Sequence, residues 1–395
     1  MAWKETTPLN ERMRFIEDLQ RELESMAELC RRYGISRKTG YKWKRRYEEE
    51  GLEGLQDRSR AALYCPHQTS EDVVQKIVEK RQLHPTWGAK KIRRLLEREN
   101  SEAVWPARST ICSILKREGL IQTKRRRPRR GHPGRPTTTA EAPNQIWTAD
   151  YKGQFKTRNG VYCYPLTIAD LFSRYLIECR GLLSTHGHGA KRVFEKVFRE
   201  YGLPDRIRTD NGVPFATSAI ARLSKLSVWW LRLGIHPELI EPASPQQNGA
   251  HERMHRTLKA ETTRPPAANC SRQQRRFDTF KDEFNNVRPH EALDLDTPAS
   301  NYSTSTRPFP DKLPEIVYPD HYELRLVSKN GGIRWMGSHV PVSHTLEGEY
   351  IGLEEIDNGI WDVFFGTLLL GRLDERIMRI EDALGRNVRR RPNKT

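Results

Sequence analysis

Residues 244–259 read Ser-Pro-Gln-Gln-Asn-Gly-Ala-His-Glu-Arg-Met-His-Arg-Thr-Leu-Lys, and they decide how the middle of the chain is interpreted. The pairs Ser244-Pro245 and Asn248-Gly249 predict a turn, and Asn248 or Gly249 can cap the helix that follows. Met254 and Leu258 lie four residues apart, as the buried face of a helix requires. Glu252 then falls in the first helical turn, where the helix dipole favours an anion.

Glu252 has two competing functional interpretations. Residues 251–255 spell H-E-x-x-H, the zinc-protease pattern in which two histidines bind the metal and the glutamate is the general base. Alternatively, Glu252 is the last of three carboxylates that hold two metal ions for phosphoryl chemistry. An exposed helix with His and Arg on its wet face is the plainest alternative. A pattern of five residues often arises by chance, so the remaining sequence must decide.

The totals for the chain favour a protein that works on nucleic acid. A length of 395 residues predicts two or three domains, and a net charge of +17 indicates a polyanionic partner. The six cysteines include no C-x-x-C pair, which favours a reduced, cytosolic chain. The N-terminus lacks the apolar segment of a signal peptide, and no apolar run approaches membrane-spanning length, so no membrane contact is expected.

Residues 1–62 are predicted to form a helix-turn-helix DNA-binding domain. Ser25 and Glu28 are spaced as a capping box, and Ser36 can cap a third helix over residues 37–47. That helix is basic with interleaved aromatic residues, which suits the major groove and its flanking phosphates. The residues expected to contact DNA are Arg37, Lys38, Tyr41, Lys42, Arg45 and Arg46.

Residues 63–123 predict a second helix-turn-helix-like domain with weaker basic character, for which a purely structural role is also open. Residues 124–143 are predicted to be a basic linker. Seven of residues 124–136 are Lys or Arg, none is acidic, and the Pro and Gly residues prevent a regular helix.

Residues 144–303 have the pattern of a mixed α/β layer fold. Strands are predicted over 145–155, 161–168, 175–179, 206–210 and 239–240, and helices over 190–201 and 216–233.

Three carboxylates stand out in this region. Asp150 lies inside an otherwise apolar strand, where an unpartnered carboxylate is costly. Asp210 ends a strand just before a Gly turn, and Glu252 opens a helix. Three acids on elements that can pack together would form a hard-oxygen site for Mg²⁺.

At this point the sequence resembles the DDE transposases of bacterial insertion sequences, which share a ribonuclease-H-like core with retroviral integrases. The matching motifs are Trp147-Thr-Ala-Asp150, Thr209-Asp-Asn-Gly212, the stretch from Ser244 to Glu252, and Arg288-Pro-His-Glu-Ala-Leu293. The resemblance covers most of residues 1–303. It implies that Asp150, Asp210 and Glu252 are the catalytic triad and the metal ligands.

The resemblance also implies a function. Such a protein binds the ends of an insertion sequence, cleaves phosphodiester bonds with two Mg²⁺ ions and joins the 3′-OH ends to target DNA; Mn²⁺ is expected to substitute. The implied partners are double-stranded DNA, both element ends and target, and further copies of the chain, at least as a dimer. Arg256 and Lys259 share the helical face of Glu252, so they are expected to contact DNA. The implied location is the bacterial cytoplasm, in association with the nucleoid.

The sequence departs from the family pattern in three respects. The gap between Asp210 and Glu252 is longer than in the best-known members, which predicts an extended intervening helix. The zinc module of retroviral integrases is absent from the front of the core. Residues 304–319 are predicted to be a Pro-rich linker, residues 320–385 a small β-barrel, and residues 386–395 a basic tail.

The predicted fold class is therefore multidomain: α-helical helix-turn-helix modules, an α/β ribonuclease-H-like core with a mixed five-stranded sheet, and a small C-terminal β-barrel. Two alternatives to a transposase remain. One is a catalytically inactive, transposase-derived DNA-binding regulator, which a Mg²⁺-dependent nuclease assay would separate. The other, remote alternative is an HExxH zinc protease, which leaves Asp150, Asp210 and the positive charge without an explanation.

Overall fold

The computed structural model describes residues 6–59, 68–121, 138–241 and 248–383. It separates the chain into two compact units, Met1–Thr69 and Ser70–Thr395. The predicted basic run 124–136, the basic tail 386–395 and the turn residues 244–247 lie outside the described residues. Among the described residues, no helix is both long and apolar enough to cross a lipid bilayer.

The first unit consists of three helices, α1 (Pro8–Gln20), α2 (Met26–Arg32) and α3 (Arg37–Glu50), followed by a 3₁₀ turn. The predicted capping box opens α2: the Glu28 amide donates to Ser25 Oγ at 3.4 Å, and the Ser25 amide donates to the Glu28 carboxylate at 3.0 Å. Ser36 caps α3 by accepting a hydrogen bond from the Thr39 amide at 3.2 Å. The predicted helix-turn-helix is confirmed.

Gly40 allows α3 to approach α2 closely. A Cβ atom built on Gly40 would lie 2.6 Å from Cys30 Sγ and 3.1 Å from the ring of Phe15. Both of these neighbours belong to the buried core of the unit, where they pack with Trp43 and Leu55. Only a residue without a side chain therefore fits at this crossing, because protein interiors are too tightly packed to accept an added methyl group without movement.

We predict that Gly40→Ala destabilises the first unit by about 1–3 kcal/mol, since the added methyl group overpacks the crossing of α2 and α3. The free energy of unfolding is measured by urea denaturation followed through tryptophan fluorescence. Adding Cys30→Ala to the same chain removes the clashing sulfur, so the double variant should lose less stability than the two single losses combined. Strict additivity of the two changes would contradict this account of the crossing.

The second unit begins with a helical module of α4 (Glu71–Leu83), α5 (Ala89–Glu99) and α6 (Arg108–Arg117). Its helices were all predicted, and they enclose a small core that includes Ile77, Trp87, Ile92 and Ile111. The module shares its compact unit with everything that follows it in the chain. The finer domain boundaries drawn from the sequence stay predictions.

A mixed sheet forms the centre of the second unit. Its strands are β1 (Ile146–Tyr151), β2 (Phe155–Lys156), β3 (Tyr162–Asp170), β4 (Leu176–Leu182), β5 (Arg206–Thr209) and β6 (His236–Leu239). β3 pairs antiparallel with β1, β4 and the short β2, whereas β1 pairs parallel with β5 and β5 parallel with β6. The predicted mixed sheet is confirmed, with β2 as an addition to the five expected strands.

Helices cover both faces of this sheet. One face packs against α7 (Gly187–Tyr201) and α8 (Lys225–Arg232), in a core that contains Trp147 and Ala149. The other face packs against α9 (Gly249–Thr262) and α10 (Cys270–Asp282), in a core that contains Met254 and Leu258. Because strand side chains alternate between faces, Thr148 and Asp150 point away from the first core and towards the side of α9.

The extended helix predicted between Asp210 and Glu252 is wrong. Helix α8 has only eight residues, and the preceding stretch forms a loop with a 3₁₀ turn over Ile220–Arg222. Ile220 and Leu223 of this loop, with Val228 and Leu231 of α8, pack into the core of the C-terminal strands. The additional residues thus form a contact surface for the C-terminal sheet, because their apolar side chains are buried there and not along a longer helix.

The C-terminal strands are β7 (Glu323–Leu326), β8 (Gly332–Trp335), β9 (Ser338–Pro341), β10 (Tyr350–Asp357), β11 (Ile360–Phe365), β12 (Leu368–Asp374) and β13 (Arg379–Asp382). Five of them form an antiparallel sheet in the order β13-β12-β11-β10-β7, and β8 and β9 form a separate hairpin. The predicted β-barrel is not confirmed, since no ladder between described residues joins β7 to β13. The open sheet buries its apolar face against the loop before α8 instead.

Candidate active site

The parallel pairing of β1 with β5 sets Asp150 beside Asp210. Ala149 pairs with Thr209 in the register of these two strands, and each aspartate is the next residue of its chain. The two carboxylates therefore occupy equivalent positions at the carboxyl ends of neighbouring parallel strands. The Gly212 amide donates to Asp210 Oδ1 at 3.1 Å. The Asn211 side chain anchors the same turn by donating to the Ile240 carbonyl oxygen at 2.7 Å.

Glu252 lies in the first turn of α9, as the sequence predicted, and its side chain is exposed. It is close enough to influence Asp150 electrostatically. Burial raises the pKa of Asp150 to about 7, repulsion from Asp210 adds to that rise, and repulsion from Glu252 contributes a smaller part. The structure thus brings the three predicted acids into one electrostatic neighbourhood, and their catalytic role stays a prediction.

Two buried histidines of α9 lie against the neighbouring strands β1 and β3. His251 Nδ1 is 2.8 Å from Thr148 Oγ1, and its Nε2 is 2.7 Å from Thr167 Oγ1. His255 Nε2 is 2.6 Å from that same Thr167 oxygen, and His255 Nδ1 is 3.6 Å from Asp150 Oδ2. Burial lowers the pKa of His251 to about 3 and that of His255 to about 2, so both imidazoles are neutral near pH 7.

The Thr167 hydroxyl connects these histidines to the backbone of Asp150. It donates to the Asp150 carbonyl oxygen at 3.0 Å, so it is left to accept hydrogen bonds from His251 and His255. A hydroxyl has one proton and two lone pairs, and three partners therefore use its full capacity. Thr167 is fully buried, which makes every one of these bonds costly to lose.

Asp150, His251 and His255 form a group that could hold a divalent metal ion. One ligand atom from each residue lies within 4.8 Å of the other two. A zinc protease needs a third ligand beside the two histidines of H-E-x-x-H, and Asp150 is placed where it could be that ligand. Even so, the imidazole nitrogens that face Thr167 are already hydrogen-bonded, and Glu252, the general base of a zinc protease, is exposed.

The predicted DNA-contacting residues of the first unit lie on one helix. Helix α3 buries Trp43 and exposes Arg37, Lys38, Tyr41, Lys42 and Arg45. Arg46 is half-buried, with its guanidinium carbon 5.2 Å from the Trp43 ring centroid. The exposed residues recur at the spacing of one helical face, and only Lys42 among them reaches the core, with its Nζ atom 4.5 Å from the Trp43 ring centroid, within the described residues.

Arg256 and Lys259 of α9 are both exposed. Lys259 lies near Lys152, whose pKa is lowered by burial and then by repulsion from Lys259. Arg256 instead lines a cavity together with Arg253 and Arg288. The two predicted contacts therefore have different surroundings, and their role in DNA binding stays a prediction.

Sequence reasoning missed Thr148 and Thr167. The available signal was a threonine within each of two apolar strands, at a position that faces the helix carrying the two histidines. It also gave His251 and His255 no role outside the zinc alternative. Their partners could not be found from sequence because they come from strands 84 to 103 residues away.

Comparison with known proteins gives matches in both units. Residues 140–245 and residues 233–298 each match a family described as integrase core domain. Residues 11–62 match a helix-turn-helix domain, and residues 39–115 match a homeodomain-like domain. The chain thus contains an integrase core domain preceded by DNA-binding helix-turn-helix domains.

Two relatives come from bacterial insertion elements. The insertion element IS407 uncharacterized 31.7 kDa protein of Burkholderia multivorans is 25% identical over 247 residues, which are 61% of this chain and 85% of that protein. The insertion element IS476 uncharacterized 39.2 kDa protein of Xanthomonas euvesicatoria is 26% identical over 249 residues, which are 60% of this chain and 68% of that protein. With the integrase core matches, they confirm the predicted resemblance to integrase-like transposases of bacterial insertion sequences.

Other similarities are to retroviral proteins. The Gag-Pol polyprotein of baboon endogenous virus (strain M7) is 31% identical over 127 residues, which are 32% of this chain and only 7% of the polyprotein. A chain of the simian T-cell lymphotropic virus intasome in complex with PP2A regulatory subunit B56 gamma matches with a TM-score of 0.37 and 15% identity, over 74% of this chain and 97% of that chain. A TM-score of this size does not establish a common fold, so the assignment depends on the sequence matches and the sheet topology.

We predict that Thr167→Val destabilises the second unit by about 1–3 kcal/mol, because it leaves buried imidazole nitrogens and the Asp150 carbonyl oxygen without their partner. Thr167→Ser, which keeps the hydroxyl, is the matched control and should lose clearly less. Urea denaturation of both variants provides the comparison. Equal losses for Val and Ser would mean that the methyl group, and not the hydrogen bonds, accounts for the effect.

Proposed function

We propose that this chain is a DDE transposase that binds the ends of an insertion sequence, cleaves phosphodiester bonds there and joins the resulting 3′-OH ends to target DNA. The observation that carries the proposal is the placement of Asp150 and Asp210 at the ends of two neighbouring parallel strands, with Glu252 close enough to raise the pKa of Asp150 further. The helix-turn-helix domains and the insertion-element relatives support the same proposal.

The three acids suit divalent cations of the hard, oxygen-preferring kind. Carboxylates that crowd together without a counter-charge repel one another, and this repulsion contributes to the raised pKa of Asp150. A divalent ion between them would relieve it, and carboxylate oxygens are the preferred ligands of Mg²⁺ and Mn²⁺. Two such ions, when bound, supply activation of an attacking oxygen and stabilisation of a leaving one.

The chain's own residues would hold and position the reacting groups. Asp150 and Asp210 are fixed by backbone pairing, and His255 packs beside Asp150 through its Nδ1 atom. In the first step a water oxygen attacks the phosphorus at an element end, and the bond to the 3′ oxygen breaks, which releases a 3′-OH. In the second step this 3′ oxygen attacks a target phosphodiester, a new bond to phosphorus forms, and a target 3′-OH leaves. No protein nucleophile and no ATP are required.

The proposed partners follow from this chemistry. Both element ends must be held at once for joining to a single target, so we infer at least a homodimer in the assembly that joins DNA. The recognition helix α3 would contact the element ends, while Arg256 and Lys259 would lie near the DNA that passes the acids. The ions proposed are two Mg²⁺, with Mn²⁺ able to replace them.

We predict that Asp150→Asn, Asp210→Asn and Glu252→Gln each lower both DNA cleavage and joining by at least about a hundredfold, because each removes one metal-binding charge while keeping the shape of the side chain. The assay follows labelled DNA with Mg²⁺ or Mn²⁺. Combining two of the changes should add little to the loss from one. Asp278→Asn, an exposed acid on α10, is the matched control and should keep full activity.

The outcomes separate the alternatives. Full DNA cleavage by Asp150→Asn or Asp210→Asn would refute the assignment of the metal site. A wild-type protein that binds DNA but never cleaves it would favour the inactive, transposase-derived regulator. Zinc-dependent proteolysis that needs His251 and His255 but not Asp210 would favour the protease.

We also predict that the triple variant Arg37→Ala, Lys38→Ala and Lys42→Ala weakens duplex binding and reduces the slope of log affinity against log salt by about 2–3, since three phosphate contacts are lost. Fluorescence anisotropy of a labelled 30-base-pair duplex across a salt titration measures both quantities. The matched control changes three exposed cations outside α3 to Ala, namely Arg14 of α1, Arg21 directly after it and Arg31 of α2. If both triple variants bind alike, α3 is not the recognition helix.

A further inference from the structure

A second candidate site lies next to the acids but does not include them. It is a cavity of about 550 Å³ in the second unit, bordered by α9, by the turn after β3, by residues 288–292 and by Lys91 of α5. Five cations line it, and they are Lys91, Arg174, Arg253, Arg256 and Arg288. Asp170 and Glu291 are the carboxylates among its lining residues. Asp150, Asp210 and Glu252 do not line this basic cavity.

The two carboxylates offset only part of the positive charge of the basic cavity, through attraction between Asp170 and Arg174 and between Glu291 and Lys91. Asp170 accepts hydrogen bonds from the Asn144 amide at 2.8 Å and from the Ser173 amide and hydroxyl at 2.8 and 2.6 Å. Glu291 lies 3.4 Å from the ammonium of Lys90, which is not one of the lining cations. Two carboxylates among five cations leave the lining with a net positive charge, and both carboxylates also interact with groups outside the set of lining cations.

Most of the lining cations have no ion-pair partner among the described residues. Arg288 pairs with Glu261 at 2.9 Å. Within the part of the chain that the structure describes, Lys91, Arg174, Arg253 and Arg256 form no ion pair shorter than 4.0 Å. Clustered like charges repel, and partial burial strengthens the repulsion at Lys91 and Arg174, whereas Arg253 and Arg256 are exposed; an anion bound among these cations lowers the repulsion.

The titration behaviour of the lining groups agrees with this geometry. Burial and then repulsion from Arg288 lower the pKa of Lys91 to about 8. Burial lowers the pKa of His290 to about 3, and repulsion from Lys91 and Arg288 contributes. The buried Nε2 atom of His290 also has no hydrogen-bond partner among the residues that the structure describes. A polar atom of this kind, at the wall of a cationic cavity, is suited to a ligand with oxygen atoms.

The position of the basic cavity points to one class of ligand. Arg253 follows Glu252 directly in α9, and His251 lines the basic cavity on one side while it packs near Asp150 on the other. A volume of about 550 Å³ is in the range of pockets for small organic groups such as a nucleotide. Arginine side chains bind the oxygens of a phosphate or a carboxylate in two-pronged hydrogen bonds, and the function proposed above makes a DNA phosphate the expected ligand.

We propose that the basic cavity binds phosphodiester groups of a DNA strand immediately beside the segment held at the acids. This inference rests on the proposed function for its choice of DNA as the source of phosphate. It assigns to Lys91, Arg174, Arg253 and Arg256 the binding of backbone phosphates, and it gives the helical module, through Lys91, a direct part in holding DNA at the core.

The test measures binding of the labelled single strand dT8 to the full chain in EDTA, so that no cleavage can contribute. Two variants each remove two cations: Lys91→Gln with Arg174→Gln, and Arg253→Gln with Arg256→Gln. The second pair lies on the exposed side of α9, so it guards against a folding defect in the first. The control removes two exposed cations outside the basic cavity, Arg98→Gln with Arg275→Gln.

Each cavity variant should weaken dT8 binding about tenfold or more and reduce the salt slope by about 1.4, because two contacts to a single strand are lost. The control should match the wild type. Wild-type affinity in both cavity variants would overturn the proposal. Calorimetry of orthophosphate binding gives a second test. If the cavity variants lose orthophosphate binding but keep dT8 binding, the ligand is free phosphate and the proposal is overturned.

The result is independent of the catalytic proposal. If the wild type fails to cleave DNA with Mg²⁺ but the cavity variants still lose dT8 binding, the basic cavity is supported and the transposase assignment fails. If the wild type cleaves DNA and the cavity variants bind dT8 normally, the transposase assignment is supported and the basic cavity is rejected.

Discussion

The parallel pairing of β1 with β5 places two acidic side chains next to each other at the carboxyl ends of these strands, and the other parts of the site are arranged around them. The main-chain pairing of Ala149 with Thr209, the residues directly before Asp150 and Asp210, fixes the relative positions of the two aspartates. A strand end is more rigid than a loop, so little conformational entropy remains to be lost when charged ligands are bound there. The alternation of β1 gives the opposite face to Trp147 and Ala149, which belong to the core under α7 and α8.

Helix α9 is attached to the sheet beside these two acids by two kinds of interaction. Met254 and Leu258 pack into the apolar core, while His251 and His255 are hydrogen-bonded to strand threonines. Apolar burial supplies most of the free energy of docking, whereas the hydrogen bonds fix the rotation of the helix about its axis. Because the two histidines face the sheet, Glu252 is directed to the exposed side of the first turn, near Asp150.

The helical module of α4, α5 and α6 is attached to the rest of the second unit by polar pairs of side chains. His84 lies 2.9 Å from Glu283, Lys90 3.4 Å from Glu291, and Arg94 3.0 Å from Asp296. The pairs of Lys90 and Arg94 are exposed and contribute little individually, whereas the His84 side chain is mostly buried. Val287 adds an apolar contact to the core of the module. The salt bridges of Lys90 and Arg94 reduce the positive charge that the module presents to solvent. Lys91, between two of them, remains free to face the basic cavity.

The sequence by itself determined the local elements and the order of the motifs. The capping box at Ser25, the apolar strand around Asp150 and the 3.6-residue periodicity of α9 are short-range patterns, so they could be predicted from neighbours in the chain. The tertiary structure decided the rest. The loop before α8 and the open C-terminal sheet share one core, and Thr148 meets His251 across 103 residues. Such contacts depend on which distant segments pack together, and no local pattern records that choice.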